Sequence, residues 1–127
     1  MDDRKNILIV DDEEDIRHIL DAFLDKEGYT SFSAASGREA LEIVEKQNID
    51  LIILDIMMPE MDGFEVLDHL RQNKKTENIP VIMLTGVENK EKLKEALNKG
   101  VTYYINKPFE TVELSSKIRI ALSGEVI

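Results

Sequence analysis

The run Asn48-Ile-Asp-Leu-Ile-Ile-Leu-Asp-Ile-Met-Met-Pro-Glu-Met-Asp-Gly63 leads to one carboxylate, Asp55, around which the rest of the chain is arranged. Ile49 and the run from Leu51 to Leu54 are apolar, and the run stops abruptly at Asp55. A run with β-branched residues and no polar alternation reads as a strand buried on both faces, as in a parallel sheet covered by helices. Pro59 then takes the chain out of the sheet, because it cannot donate to a ladder and it restrains Met58 before it. An acid at the carboxyl end of a central parallel strand stands where open α/β sheets bind their ligands. A lone Asp would cap or turn the chain equally well, so its neighbours decide its meaning.

Three more strands flank this one. Ile7-Leu8-Ile9-Val10 ends on Asp11-Asp12; Val81-Ile82-Met83-Leu84, introduced by Pro80, ends on Thr85-Gly86; a strand over about 102–105 ends at Asn106-Lys107-Pro108. Residues 29–34 form a weaker strand, expected at an edge. Helical spacing links the strands. Ile16, Ile19, Leu20, Phe23 and Leu24 form one stripe, closed by Gly28. Ser36-Gly-Arg-Glu39 matches a capping box ahead of Ala40, Leu41 and Val44. Gly63 opens a helix with Phe64, Leu67 and Leu70; a lysine-rich helix with Leu93, Ala96 and Leu97 stops at Gly100. A last helix over about 110–123 bears Leu114, Ile118, Ala121 and Leu122. Five strand–helix repeats predict an α/β fold: a doubly wound, five-stranded parallel sheet with helices on both faces.

Composition agrees. The 127 residues suit one domain, 1–127, and 43% hydrophobic with 33% charged residues is a globular balance. No apolar run nears the ~20 residues needed to span a bilayer, and the start Met1-Asp-Asp-Arg-Lys-Asn6 lacks a signal-peptide core. Without cysteine there is no disulfide frame and no thiolate chemistry. These features predict a cytoplasmic protein. A net charge of −10 argues against direct contact with nucleic acid or an acidic membrane surface, and suits a cation ligand or a basic partner.

The ends of the four apolar strands bear Asp11-Asp12, Asp55, Thr85 and Lys107, and in a doubly wound sheet those ends share one rim. Three carboxylates gathered there repel: a pair at ~4 Å costs about 4 kcal/mol at an effective dielectric of about 20. A cation relieves that repulsion. Oxygen-only ligands favour a hard ion, and Mg²⁺ needs few carboxylates while keeping waters for phosphate. Thr85 offers a hydroxyl and Lys107 a mobile positive charge, both suited to phosphate oxygens. The chemistry assembled is attack by a carboxylate on phosphorus. Glu13, Glu14 and Asp15 are explained by the positive end of the first helix.

The chain resembles the receiver domains of two-component response regulators, the CheY-like family, over its entire length. The resemblance rests on Ile-Leu-Ile-Val-Asp-Asp near the start, Leu-Asp-Ile-Met-Met-Pro-Glu-Met-Asp-Gly in the middle, Met-Leu-Thr-Gly, and Lys-Pro-Phe near the end. It implies the flavodoxin-like strand order 2-1-3-4-5. It implies that Asp55 accepts a phosphoryl group from a sensor histidine kinase or from a small donor such as acetyl phosphate. Asp12, Asp55 and the backbone carbonyl of Met57 would coordinate Mg²⁺, for which Mn²⁺ can substitute, with Asp11 acting largely through water. Thr85 and Lys107 would hold the phosphoryl oxygens. Thr85 and Tyr104 would form the switch, shifting the face of the fourth helix, fifth strand and fifth helix that partners read. The Lys107-Pro108 bond is expected to be cis.

The partners implied are the kinase and a downstream protein target or attached effector domain, with the chain a monomer or a weak phosphorylation-dependent dimer. It would catalyse only its own phosphorylation and dephosphorylation. An alternative is a phosphorelay intermediate that passes the group to a histidine phosphotransfer protein. A flavodoxin-like cofactor binder would need an anion-cradling loop where Asp11-Asp12-Glu13-Glu14 stands. A haloacid-dehalogenase-type phosphohydrolase would need an acid where Met57 stands. A degenerate receiver would have lost site residues that are all present. His18 and His69 read as surface residues, Met57, Met58 and Met61 as loop packing, and the charges from Lys90 to Glu95 as a solvated helix face.

Overall fold

The computed structural model describes residues 3–86 and 89–124. Met1, Asp2 and Ile127, where the expectations about the chain's start and end fall, lie outside them. The elements are β1 (Asn6–Val10), α1 (Glu14–Lys26), β2 (Thr30–Ala34), α2 (Gly37–Lys46), β3 (Leu51–Leu54), α3 (Gly63–Arg71), β4 (Val81–Thr85), α4 (Lys90–Asn98), β5 (Tyr103–Asn106) and α5 (Thr111–Ser123). All strand pairs are parallel, in the order β2-β1-β3-β4-β5. This is the expected doubly wound sheet, with β3 at its centre and β2 at an edge.

The missing polar alternation in β3 has a direct cause. Ile52 and Leu54 face one core with Leu8, Val10, Val81 and Met83, beneath α2, α3 and α4. Leu51 and Ile53 face the other, with Ile7, Ile9, Ile82 and Leu84, beneath α1 and α5. Both faces are dry, so both sets of alternating positions must be apolar.

The helices follow the predicted stripes with two corrections. Ile19 is 54% exposed and Leu97 53% exposed. On α1, Leu20 and Leu24 are buried, with Ile16 and Phe23 packed beside them, and Ile19 falls off the edge of that arc. On α4, Ala96 is the buried residue, and Leu97 lies ~100° further round. The capping box also differs in detail: Ser36 accepts from the Glu39 N–H, but Glu39 reaches back to the Ala35 N–H rather than to the cap's own.

Charged residues bind α4 to its neighbour. Lys92 lies 5.3 Å from the centroid of the Phe64 ring on α3, and Lys99 pairs with Asp68 at 2.8 Å. The supposed solvated face is therefore partly a clasp. Arg71, at the end of α3, is half-buried and donates to the carbonyls of Glu77, Ile79 and Gly100 at 2.9–3.1 Å. It ties the connection before β4 to the turn after α4. Arg71→Met is expected to lose about 1.5 kcal/mol, since two of those carbonyls can turn to water and one is half-buried. Urea unfolding would measure it, and no loss would show the three Arg71 hydrogen bonds to be idle.

Candidate functional site

The rim is built by strands that hold register to their last residue. Val10 pairs with Leu54, Leu54 with Met83, and Thr85 with Asn106. The ladder continues one step beyond the strands: Asp55 N–H donates to the Val10 carbonyl at 3.0 Å, Asp11 N–H to Ala34 at 3.1 Å, and Lys107 N–H to Thr85 at 2.8 Å. Asp11, Asp55 and Lys107 are thus delivered to one edge by the sheet itself. Lys107-Pro108 is cis, as expected.

Asp11 and Asp55 are 2% and 5% exposed, Thr85 is fully buried, and Asp12 is exposed. One oxygen from each of Asp11, Asp12 and Asp55 lies within 4.8 Å of the others. The Lys107 ammonium is 2.6 Å from Asp11 Oδ2 and 3.2 Å from Asp55 Oδ2. Asp12, Glu13, Asp55, Met57, Thr85, Gly86 and Lys107 line an open cleft of about 520 Å³. All five strand-end residues singled out from the sequence meet here.

Burial pushes the Asp11 carboxyl up, aided by the Asp55 charge and opposed by the hydrogen bonds from Lys107 and the Glu13 N–H. For Lys107, burial works against the ammonium. The hydrogen bond to Asp11 and the charges of Asp55 and Asp11 outweigh it and raise its pKa. Tyr104, half-buried on β5, is raised by burial first and by the Asp55 charge second, which places its phenol within the field of the site.

The residues fit a divalent cation. Asp55 Oδ1 is buried and has no hydrogen-bond partner among the described residues. A carboxylate oxygen so placed is costly unless something positive meets it. With Asp11 and Asp12 beside it, the donor set is all oxygen, which suits Mg²⁺ or Mn²⁺.

Two readings from the sequence change here. Glu13 does more than meet the helix terminus: it lines the cleft, 3.7 Å from the Lys107 ammonium. Met57 does not pack in the loop but stands 61% exposed at the mouth of the cleft, whereas Met58 is buried and Met61 packs against the core. Both corrections depend on side-chain directions in irregular turns, which no periodicity encodes. His18 is exposed beside Glu14, and His69 is exposed on α3, as read.

Fold and rim together define a class: doubly wound α/β domains with a carboxylate- and lysine-bearing site at the carboxyl edge of the sheet. The chain belongs to the response regulator receiver domain family, whose model matches residues 7–119. It is 41% identical over 119 residues to a protein named probable transcriptional regulator ycf27 from Porphyridium aerugineum, covering 94% of this chain and 48% of that one. It is 40% identical over 116 residues to the transcriptional regulatory protein SrrA of Staphylococcus aureus, covering 91% and 47%. The chain therefore spans about half the length of the curated relatives it matches. Among solved structures, it superposes on the chemotaxis protein CheY4 of Vibrio cholerae with a TM-score of 0.89 at 35% identity, covering 94% of this chain and 99% of that one. A CheY-like receiver domain from Methanospirillum hungatei gives 0.89 at 34% identity, covering 95% of each. No helix among the described residues is long and apolar enough to cross a membrane.

Proposed function

We propose that residues 1–127 act as one receiver domain, a phosphorylation-dependent signalling switch in which Asp55 accepts a phosphoryl group from a sensor histidine kinase. The observation that carries this reading is Asp55 Oδ1, buried and unpartnered among the described residues, on a residue that lines an open cleft. Its partner oxygen Oδ2 is held by Lys107, so the two oxygens have different tasks. One carboxylate oxygen attacks phosphorus, an O–P bond forms, and the bond from phosphorus to the donor breaks.

Asp11, Asp12, Asp55 and the Met57 carbonyl would hold Mg²⁺ or Mn²⁺. When bound, the ion neutralises the carboxylates and the charge on the transferring group. Lys107 follows the phosphoryl oxygens with its ammonium, and the Thr85 hydroxyl donates to one of them. Drawing Thr85 toward the cleft frees space for Tyr104 to turn inward, which alters the surface of α4, β5 and α5. That surface would be read by a downstream protein target or an attached effector; two relatives are named as transcriptional regulators. The acidic domain itself would bind no nucleic acid or membrane. It would work in the cytoplasm as a monomer or weak phosphorylation-dependent dimer, catalysing only its own modification.

The test is intact mass after incubation with acetyl phosphate, with and without Mg²⁺, for the wild type and Asp55→Asn. One phosphoryl group is expected on the wild type with Mg²⁺ and none in the other three samples. Equal uptake by Asp55→Asn would overturn the assignment of the acceptor.

A further inference from the structure

We infer that Arg17 is a positioning residue for the acidic turn, fixing the Asp11–Asp12 peptide so that Asp12 faces the cation; this rests on the Mg²⁺-dependent reading above. Arg17 Nη1 donates to the backbone carbonyl of Asp11 at 2.9 Å, reaching back across the start of α1 to the end of β1. This is an unfavourable place for a cation. The amino end of a helix carries partial positive charge, and the other charged residues of that first turn, Glu14 and Asp15, are acids that complement it. A cation placed there that donates to a carbonyl at the end of β1 points to a task at that turn.

The task is legible in how Asp11 is held. Its N–H donates to Ala34, its Oδ1 accepts from the Glu13 N–H at 2.9 Å, and its Oδ2 accepts from Lys107 at 2.6 Å. The carbonyl is the remaining group, and Arg17 engages it. With that carbonyl held, the plane of the Asp11–Asp12 peptide cannot turn. Asp12, exposed and next along the chain, takes its direction from that plane. A planar guanidinium suits the purpose, because it donates in a fixed direction and stays charged.

Charge and geometry predict opposite results, which makes the inference testable. If Arg17 acted only through its charge, removing it would strengthen Mg²⁺ binding. If it positions Asp12, removing it weakens binding despite the lost repulsion. Calorimetric titration of Mg²⁺ into the whole chain would compare wild type with Arg17→Ala, Arg17→Gln and Arg17→Lys. Arg17→Ala is expected to bind about tenfold more weakly, in the range for residues that orient metal ligands. Arg17→Lys, which keeps a donor, is expected to recover part of that loss. Unchanged or tighter binding by a cooperatively unfolding Arg17→Ala would overturn the inference. Should Arg17→Ala fail to fold, Arg17→Gln carries the same comparison: weaker binding supports the inference, and equal or tighter binding overturns it. A wild type that binds no Mg²⁺ would instead overturn the reading of the site, and this inference with it.

Discussion

Gly63→Ala is expected to cost about 3 kcal/mol of folding stability and to lower Tm by roughly 10 °C. A Cβ built at Gly63 lies 2.3 Å from the Asp55 carbonyl oxygen and 2.8 Å from Ile56 Cα. Both are backbone atoms and cannot swing aside. The close approach comes from the Gly63 N–H donating to the Ile56 carbonyl at 2.8 Å, which brings the first turn of α3 against the end of β3. Asp62 caps that turn, accepting from Glu65 N–H at 3.0 Å, so the helix start cannot retreat without losing its cap. Any relief must therefore displace the peptide of Asp55 itself. Phosphoryl uptake by the folded fraction is expected to slow along with the loss of stability. Denaturant unfolding followed by circular dichroism measures the first effect. A loss under ~1 kcal/mol, less than overpacking of a tight contact costs, would show that the two backbones are not so closely apposed.

Lys107→Met has the second large expected effect. Methionine matches the length of the lysine stem but removes the charge that faces Asp11 and Asp55, whose side chains are 3% and 6% exposed. Removing one partner of a buried ion pair costs about 3–5 kcal/mol at neutral pH. Two treatments should restore much of it. A divalent cation that binds only the folded chain adds about 2.7 kcal/mol at one hundred times its Kd. Acid acts through Asp11, whose folded pKa lies above the ordinary 3.8 because burial disfavours its charge. Between the ordinary value and the raised one, the unfolded carboxyl has released its proton while the folded one still holds it. The folded state then binds more protons, so stability falls as pH rises and returns as pH is lowered toward about 4. Thermal unfolding with and without Mg²⁺ at neutral and acid pH would measure both. Equal stability of the two proteins without the ion would refute the role given to the ammonium.

Much of the site was readable because sheet geometry is strict. Asp11, Asp55, Thr85 and Lys107 each stand at or just past the end of an apolar strand, and parallel strands in register bring such ends together. Arg71 left no comparable signal. It ends a helical pattern like any surface arginine, and its three carbonyl acceptors belong to turns brought to it by the fold. Arg17 hid among the acids of the first helix for the same reason: its partner is a backbone carbonyl, which no residue identity marks.

Element order, the two-faced burial of β3 and the membership of the acid–lysine cluster were all legible in the amino-acid order. These follow from period, apolar runs and chain connectivity, which are local or topological properties. That Glu13 borders the site, that Met57 is open to solvent, and that Ile19 and Leu97 lie outside the core emerged from the packed fold. It alone showed Asp55 with one oxygen paired and one without a partner among the described residues. Burial and hydrogen bonding at the rim arise between segments distant in the chain. Lys107 and Asp11 meet across 96 residues of sequence, and their separation is set by the packing of the whole sheet.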